Sequence, residues 1–513
     1  MPAKQKLHDL IQRELQGVKF IVVSNREPYV HNRVDGAIQC TRPAGGVVVA
    51  LDPIMQASGG VWIAHGSGTA DAEVVDEFDH VAVPPEDPSY TLRRVWIDEE
   101  SQKGYYLGLS NECLWPLCHI AFTRPIFRPQ DWEVYKKINQ RFAEAVLEEA
   151  GGGAAFVFIQ DYHFGLLAKM LKERNPNLIV AQFWHIPWPN TETFRAFPWK
   201  GELLNGLLGN DLLGFHLRYH CSNFLDTIDQ NIEALVDREH FDVIRADKKT
   251  LIRPFPIGID FEAHTYDAAH SQIDAEMDWW RETLHLSNSQ VEFLGIGIDR
   301  IDYTKGIPDR LRGFDVFLDN HSQFRGKVQM VQIGVPSRVQ IREYQALNAE
   351  LDRLVQTINE KWSTGSWKPI IFLKQYFNQS QMVALHRLAH FCVVSSLHDG
   401  MNLIAKEYVA SRFDEDGVLI LSRFTGSARE LPDALLVNPF AIEEIADAIA
   451  MAIAMDAPER KKRMIRMRRV VAENSIYDWA TRILSVLLRF DIPTPGTDDE
   501  YAASMGLLEK SRP

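Results

Sequence analysis

The sequence predicts an α/β protein made of two doubly wound domains that face each other across a cleft. Three observations carry this expectation. Short apolar, β-branched runs recur along the chain, separated by stretches of helical period. The runs are near-continuous rather than alternating, as parallel strands covered on both faces require. An extended connector, Arg253 to Asp260, with Pro254 and Pro256, divides the series into two.

Taken in order, the opening MPAKQKLHDLIQREL reads as a short amphipathic helix; it lacks the apolar core of a secretory leader, and Asp9 and Glu14 argue against a transit peptide. The first-half strands are FIVVS at Phe20, FVFIQ at Phe156, IVAQFWH at Ile179 and LLGFH at Leu212. Between about residues 65 and 130 lies an irregular insertion, rich in Pro, Asp and Glu, without a period that assigns it. The second half supplies FLGIGID at Phe293, VQMVQIG at Val328, IIFLK at Ile370, FCVVSS at Phe391, GVLILS at Gly417 and ALLVN at Ala434. The expected units are an N-terminal extension (1–17), a first domain (18–256), a second domain (257–490) and a loosely held tail (491–513) opening with prolines and acidic residues.

Length and composition, 513 residues with 46% hydrophobic and 24% charged, fit a folded protein with several cores and exclude a disordered one. The charge balance, 55 − 69 = −14, argues against nucleic acid and anionic membrane as partners. The longest apolar stretch, Ala448 to Met455, is far below the ~20 residues of a membrane span. Cys40, Cys113, Cys118, Cys221 and Cys392 form no C-x-x-C pair, which fits a reducing cytoplasm and suggests neither a disulfide framework nor a zinc site. No bound metal or cofactor is expected.

In doubly wound folds ligands bind beyond the carboxyl ends of the strands, and the polar clusters of this sequence sit there. SNREP (Ser24 to Pro28) follows the first strand, and AGG (Ala44 to Gly46) could bring backbone N–H groups close to a ligand. QDYH and WHIPWPN place Asp161 and His185 at the ends of successive strands, among aromatics that suit a sugar face. GIDRIDYTKGIPDR sets Arg300 and Lys305 beyond another strand, a cradle for a diphosphate, and Arg338 in VPSRVQ is a third strand-end cation. Three such cations in an acidic protein point to a polyanionic ligand. HDGMNLIAKEY adds Asp399, free backbone N–H groups at Gly400 to Asn402, and Glu407, with carboxylates suited to sugar hydroxyls.

SNR, AGG, LWPxxH, xDYH, HIPxP, RxDYxKGxPxR, PSR and DGMNLxAKEY, in this order over about residues 18 to 490, resemble the trehalose-6-phosphate synthase family of retaining glycosyltransferases. The resemblance implies the GT-B arrangement of two Rossmann-like domains, the first binding the acceptor and the second the nucleotide sugar. It also implies glucose transfer from a nucleotide diphosphate glucose, usually UDP-glucose, to glucose 6-phosphate, giving α,α-trehalose 6-phosphate. Carried over by residue, it implies Arg26, Tyr106, Trp115 and Arg338 around the acceptor phosphate and Asp161 on acceptor hydroxyls. Gly46, Asn402 and Leu403 would line the donor, and Glu407 its ribose. His185, Arg300, Lys305 and Asp399 would carry the transfer itself, without a metal. The chain departs from the family at WIAHGSGTAD (Trp62 to Asp71), at His398 where an Arg is usual, and in a long loop between Arg26 and Ala44. GDP- or ADP-glucose as donor, glycerol 3-phosphate or a cyclitol phosphate as acceptor, and a non-catalytic sugar-phosphate sensor are the alternatives. A homo-oligomer is compatible with the chain, and product dephosphorylation is expected from a separate phosphatase.

Overall fold

In the computed structural model the described residues are 3–15, 18–43, 46–246, 248–265, 270–286 and 289–490. The first half contributes β1 (Phe20–Arg26), β2 (Val30–Val34), β3 (Ala37–Thr41), β4 (Val61–His65), β5 (His80–Val83), β6 (Tyr90–Val95), β7 (Phe156–Gln160), β8 (Ile179–Phe183), β9 (Leu212–Phe215), β10 (Leu235–Asp237), β11 (Asp242–Arg245) and β12 (Lys248–Pro254). Ten of these form one sheet in the order β10-β11-β12-β9-β8-β7-β1-β4-β6-β5, while β2 and β3 pair as a separate hairpin. The seven central strands run parallel, and antiparallel pairs close both edges.

The second half adds β13 (Phe293–Arg300), β14 (Val328–Val335), β15 (Ile370–Leu373), β16 (Phe391–Val394), β17 (Val418–Ser422) and β18 (Leu435–Val437). They form an all-parallel sheet in the order β15-β14-β13-β16-β17-β18. Both sheets are buried on both faces, which is why their strands read as continuous apolar runs. In β1, Phe20 and Val22 enter one core while Ile21 and Val23 enter the other. In β14, Val328 and Met330 face one core and Val331 and Ile333 its opposite. All ten runs named from the sequence are strands.

The insertion between residues 65 and 130 is structured after all. It holds β5, β6 and a helix, Lys103–Leu114, wound with i→i+5 spacing. That winding removes the 3.6-residue period by which a helix shows itself in sequence. The Ser110 hydroxyl and the Asn111 side-chain amide donate to the carbonyls of Tyr105 and Tyr106, five residues earlier, at 2.8 and 2.7 Å. A short helix, Trp115–His119, follows with Pro116 in its first turn.

The opening helix, Ala3–Glu14, is amphipathic and buries Leu7 and Ile11. Covering it is the last described helix, Ile476–Leu487, whose Ile476, Trp479, Ile483 and Leu484 join Leu7 and Ile11 in a core of the first sheet. Although it falls in the span expected for the second domain, 257–490, this helix crosses back to cover its apolar stripe in a core of the first sheet. The crossing is tight. The Ile476 N–H donates to Ile259 O at 3.0 Å, and the Tyr477 hydroxyl donates to Asp260 at 2.6 Å. Ala44 and Gly45 of AGG, and the tail 491–513, lie outside the described residues.

A side chain at Gly258 would place Cβ 2.0 Å from the Asn474 carbonyl oxygen. Gly258→Ala should therefore cost about 1–3 kcal/mol as an overpacked contact. Scanning calorimetry reads this as a lowered melting temperature; an unchanged one would mean that the connector and the returning helix are not pressed together.

Candidate active site

The carboxyl ends of β1, β7, β8, β13 and β16, with the segment after β14, open onto one cavity of about 330 Å³ between the halves. Arg26, Tyr106, Trp115, Asp161, His185, Arg300, Lys305, Arg338 and Asp399 all line it. Nine residues singled out in the sequence thus meet in one place. Their arrangement sorts charge.

One end of the cavity is built around Trp115. Its indole face carries the Arg338 guanidinium 4.1 Å from the ring centre and that of Arg300 at 5.5 Å. A ring quadrupole attracts both cations without neutralising either. Tyr106, from the i→i+5 helix, lines the cavity beside Arg26 and Arg338. Burial alone would raise its phenol, but the two guanidiniums outweigh burial and bring it down to about 8.

At the other end, Lys305 pairs with Asp399 at 2.5 Å. Burial favours a protonated Asp399, yet Lys305 and a hydrogen bond from the Asn402 amide hold its carboxyl below the ordinary carboxylate range. Asn402 sits in the left-handed region with φ 72 and caps the helix Leu403–Ser411, its side chain accepting from Ala405 N at 3.2 Å. Glu407 lies one turn along that helix; burial raises its carboxyl, which has no hydrogen bond or ion pair among the described residues. Leu403 is the first residue of the helix, and Gly46 is the first residue of the helix Gly46–Ser58. Gly400 is required where the halves touch, because a Cβ there would lie 2.5 Å from the His185 carbonyl oxygen.

Between the two ends stand Asp161 and His185. Burial raises the Asp161 carboxyl to about 7, against backbone hydrogen bonds from Tyr162 and His185 and the pull of Arg338 and Arg300. His185 is driven by burial down to about 3, so it is a neutral imidazole, and its Nε2 donates to the Gln160 amide oxygen at 3.0 Å.

The structure adds residues that sequence reasoning passed over. His163, the last letter of QDYH, is stacked on Tyr106 at 5.8 Å, and both its ring nitrogens are buried without a hydrogen-bond partner. The Gln160 amide nitrogen is likewise unpartnered. Both belong to a motif that had already been noticed, and only depth in the cavity distinguishes them. Asp302, which stands in the same GIDRIDYTKGIPDR segment as Arg300 and Lys305 without a role assigned from sequence, accepts from Trp115 and pairs with Arg338. Among the described residues no three His, Cys, Asp or Glu side chains are grouped to hold a metal ion. No described helix is long and apolar enough to cross a membrane.

Known proteins share this architecture. The pattern of glycosyltransferase family 20 matches residues 18–489. The trehalose-6-phosphate synthase of Mycolicibacterium vanbaalenii is 36% identical over 482 residues, covering 92% of this chain and 96% of the relative. That of Mycobacterium avium is 36% identical over 476 residues, 91% and 95%. A solved E. coli structure bound with UDP-2-fluoro glucose superposes with a TM-score of 0.81 at 29% identity, covering 92% of this chain and 99% of that one. An α,α-trehalose-phosphate synthase (UDP-forming) from Burkholderia xenovorans, in complex with glucose-6-phosphate, does so with 0.79 at 29% identity, covering 91% and 100%.

The Tyr106 phenol gives the site a pH dependence. Lowered from 10.0 to about 8, it adds stability that is full above pH 10 and lost as pH falls through about 8. For an anionic ligand the sign is opposite, because the phenolate competes for Arg26 and Arg338. Binding of sulfate, whose own charge is constant, should weaken between about pH 7 and pH 9, and Tyr106→Phe should abolish that step. Titration calorimetry across the range decides it; matching profiles for the two proteins would refute the assignment.

Proposed function

The chain belongs to glycosyltransferase family 20, and from that premise we propose that it transfers glucose from UDP-glucose to glucose 6-phosphate with retention, forming α,α-trehalose 6-phosphate. The observation that carries this reading is the division of cations around a neutral centre. Lys305 with Asp399 stands at one end and Arg26, Arg338 and Tyr106 at the other, and Asp161 and neutral His185 lie between the ends. Arg300, on the Trp115 face beside Arg338 and in no ion pair among the described residues, is assigned with Lys305 to the donor diphosphate. Two anionic groups can be bound at once, with hydroxyl-binding groups where two sugar rings would meet.

In this reading the acceptor phosphate takes Arg26, Tyr106 and Arg338, with its ring against Trp115 and a hydroxyl on Asp161. The donor diphosphate takes Arg300 and Lys305, the transferred glucose takes His185 and Asp399, and the ribose takes Glu407. Gly46, Asn402 and Leu403 line the donor. Asp399, committed to Lys305 and Asn402, is suited to hold a sugar hydroxyl rather than to act as a nucleophile. The acceptor hydroxyl attacks from the face that the nucleotide leaves, and the departing phosphate accepts its proton. Arg300 and Lys305 stabilise the charge that grows on the leaving group, the role a divalent ion plays elsewhere, so no metal is needed. Four buried free cysteines support a cytoplasmic setting, and the product, a phosphate monoester, suits a separate phosphatase.

Purified protein with excess EDTA should convert UDP-glucose and glucose 6-phosphate to a disaccharide phosphate detectable by mass spectrometry. Consumption of glycerol 3-phosphate or a cyclitol phosphate instead, preference for GDP- or ADP-glucose, or activity only with magnesium or manganese would each overturn its part of the reading. Arg300→Ala should lower kcat about 10- to 150-fold, the worth of one charge-assisted hydrogen bond, while changing acceptor KM little. Unchanged turnover in that variant would remove Arg300 from the leaving-group site.

A further inference from the structure

Asp302 is fully buried two residues beyond Arg300 and uses its two oxygens differently. Oδ1 accepts from Thr304 N at 3.0 Å, from the Thr304 hydroxyl at 2.9 Å and from Trp115 Nε1 at 3.4 Å. Oδ2 accepts from Arg338 Nη1 at 3.0 Å and from the Tyr344 hydroxyl at 2.9 Å. A cap for the turn Tyr303–Lys305 needs Oδ1 alone, and an asparagine would serve it. The second oxygen takes Arg338 and Tyr344, and of the cations around it the charge acts most on Arg338, ahead of Arg300 and Lys305.

Arg338 needs such support. Its backbone stands at φ 48, a conformation that a non-glycine residue keeps only where its surroundings enforce it. Its Nε is buried and unpartnered, and Trp115 covers one face of the guanidinium. Trp115 belongs to the first half, Asp302 and Arg338 to the second, so the three are together only when the halves are.

We propose that Asp302 is a positioning residue for Arg338: it aims the guanidinium at the acceptor phosphate and, through the Trp115 indole, makes that aim conditional on contact between the two halves. The inference rests on the reading of Arg338 as a ligand of the acceptor phosphate. Its sign separates it from a plain charge effect. Removing a buried carboxylate beside an anion site should tighten anion binding if charge alone matters. Removing the residue that aims Arg338 should weaken it. Asp302→Asn makes the distinction, because its amide oxygen can keep Thr304 and Trp115 while its amide nitrogen turns a donor toward the Arg338 donor.

The test uses the full chain as wild type, Asp302→Asn, Arg338→Ala and the double variant. KM is measured for glucose 6-phosphate and for UDP-glucose, with calorimetric binding of inorganic phosphate and of UDP. Asp302→Asn should raise acceptor KM about 10-fold or more, leave donor KM within about threefold, and add less than about twofold in the Arg338→Ala background. An unchanged or lower acceptor KM, or a full effect persisting in that background, overturns the proposal. Should thermal melting show that Asp302→Asn does not fold, Tyr344→Phe, which removes the hydroxyl between the two groups, should raise acceptor KM in the same direction; no change there also overturns it. A wild-type protein that glycosylates no sugar phosphate would overturn the functional reading instead, and the phosphate calorimetry would still report whether Asp302 acts through Arg338.

Discussion

Holding several cations close together and partly out of water is the constraint around which this molecule is organised. The chain carries a net charge of −14, so the long-range field repels any phosphorylated substrate. Attraction must be local. Partial desolvation strengthens each short-range charge interaction, but it would also expel the cations unless something held them. Trp115 supplies a π face to Arg300 and Arg338, Asp302 takes one edge of Arg338, and Asp399 restrains Lys305. Arg300 forms no ion pair among the described residues and stays available. Beneath the site the buried pair Arg310–Asp299, at 2.7 Å, ties β13 down, with Arg310 also reaching Gln332 of β14 and Ser395 just past β16. The Arg310 side chain fills the space beside Gly297, where a Cβ would lie 2.3 Å from its Nη1.

The central imidazoles answer a second requirement, neutrality. His119, His163 and His185 are each lowered by burial to about 3, so at neutral pH they offer one donor and one acceptor and add no charge to a site already rich in it. Asp161, raised by burial to about 7, is balanced between its two forms and can receive or give a hydrogen bond at a sugar hydroxyl. Polarity with little charge in the middle, and charge at the two ends, is a division that suits an uncharged ring carrying a charged substituent.

How much of this was legible in the sequence depended on whether the signal was local. Ten of the thirteen parallel strands were readable because two-faced burial writes itself as a continuous apolar run, and the cations were readable because strand ends are where such folds place their ligands. β4, with its sequence VWIAH, was overlooked although it is just as apolar, since it abuts the unassigned insertion. The helix Lys103–Leu114 could not be read, its i→i+5 winding having no familiar period, and Tyr106 was assigned from family resemblance rather than from its element. His163 and Asp302 carry no special spacing; their importance lies in what surrounds them after folding. The return of Ile476–Leu487 to the first sheet was invisible for a similar reason, because an amphipathic stripe announces that it will be covered and not by which surface.

That returning helix has a consequence for how the protein is made. The core containing Phe20, Val22 and Trp62 also contains Trp479 and Ile483, so the first sheet cannot complete one of its faces from N-terminal residues alone. On a ribosome adding about 5–20 residues per second, the interval between the synthesis of β12 and that of the helix is on the order of ten to forty seconds. During that time one apolar surface of the nascent first half is uncovered, while the second half emerges and folds beside it. Ordinary vectorial assembly, in which an amino-terminal unit is finished before the next begins, is therefore closed to this chain. Its two halves mature together, and a helix made after the whole second sheet seals the sheet that was made first.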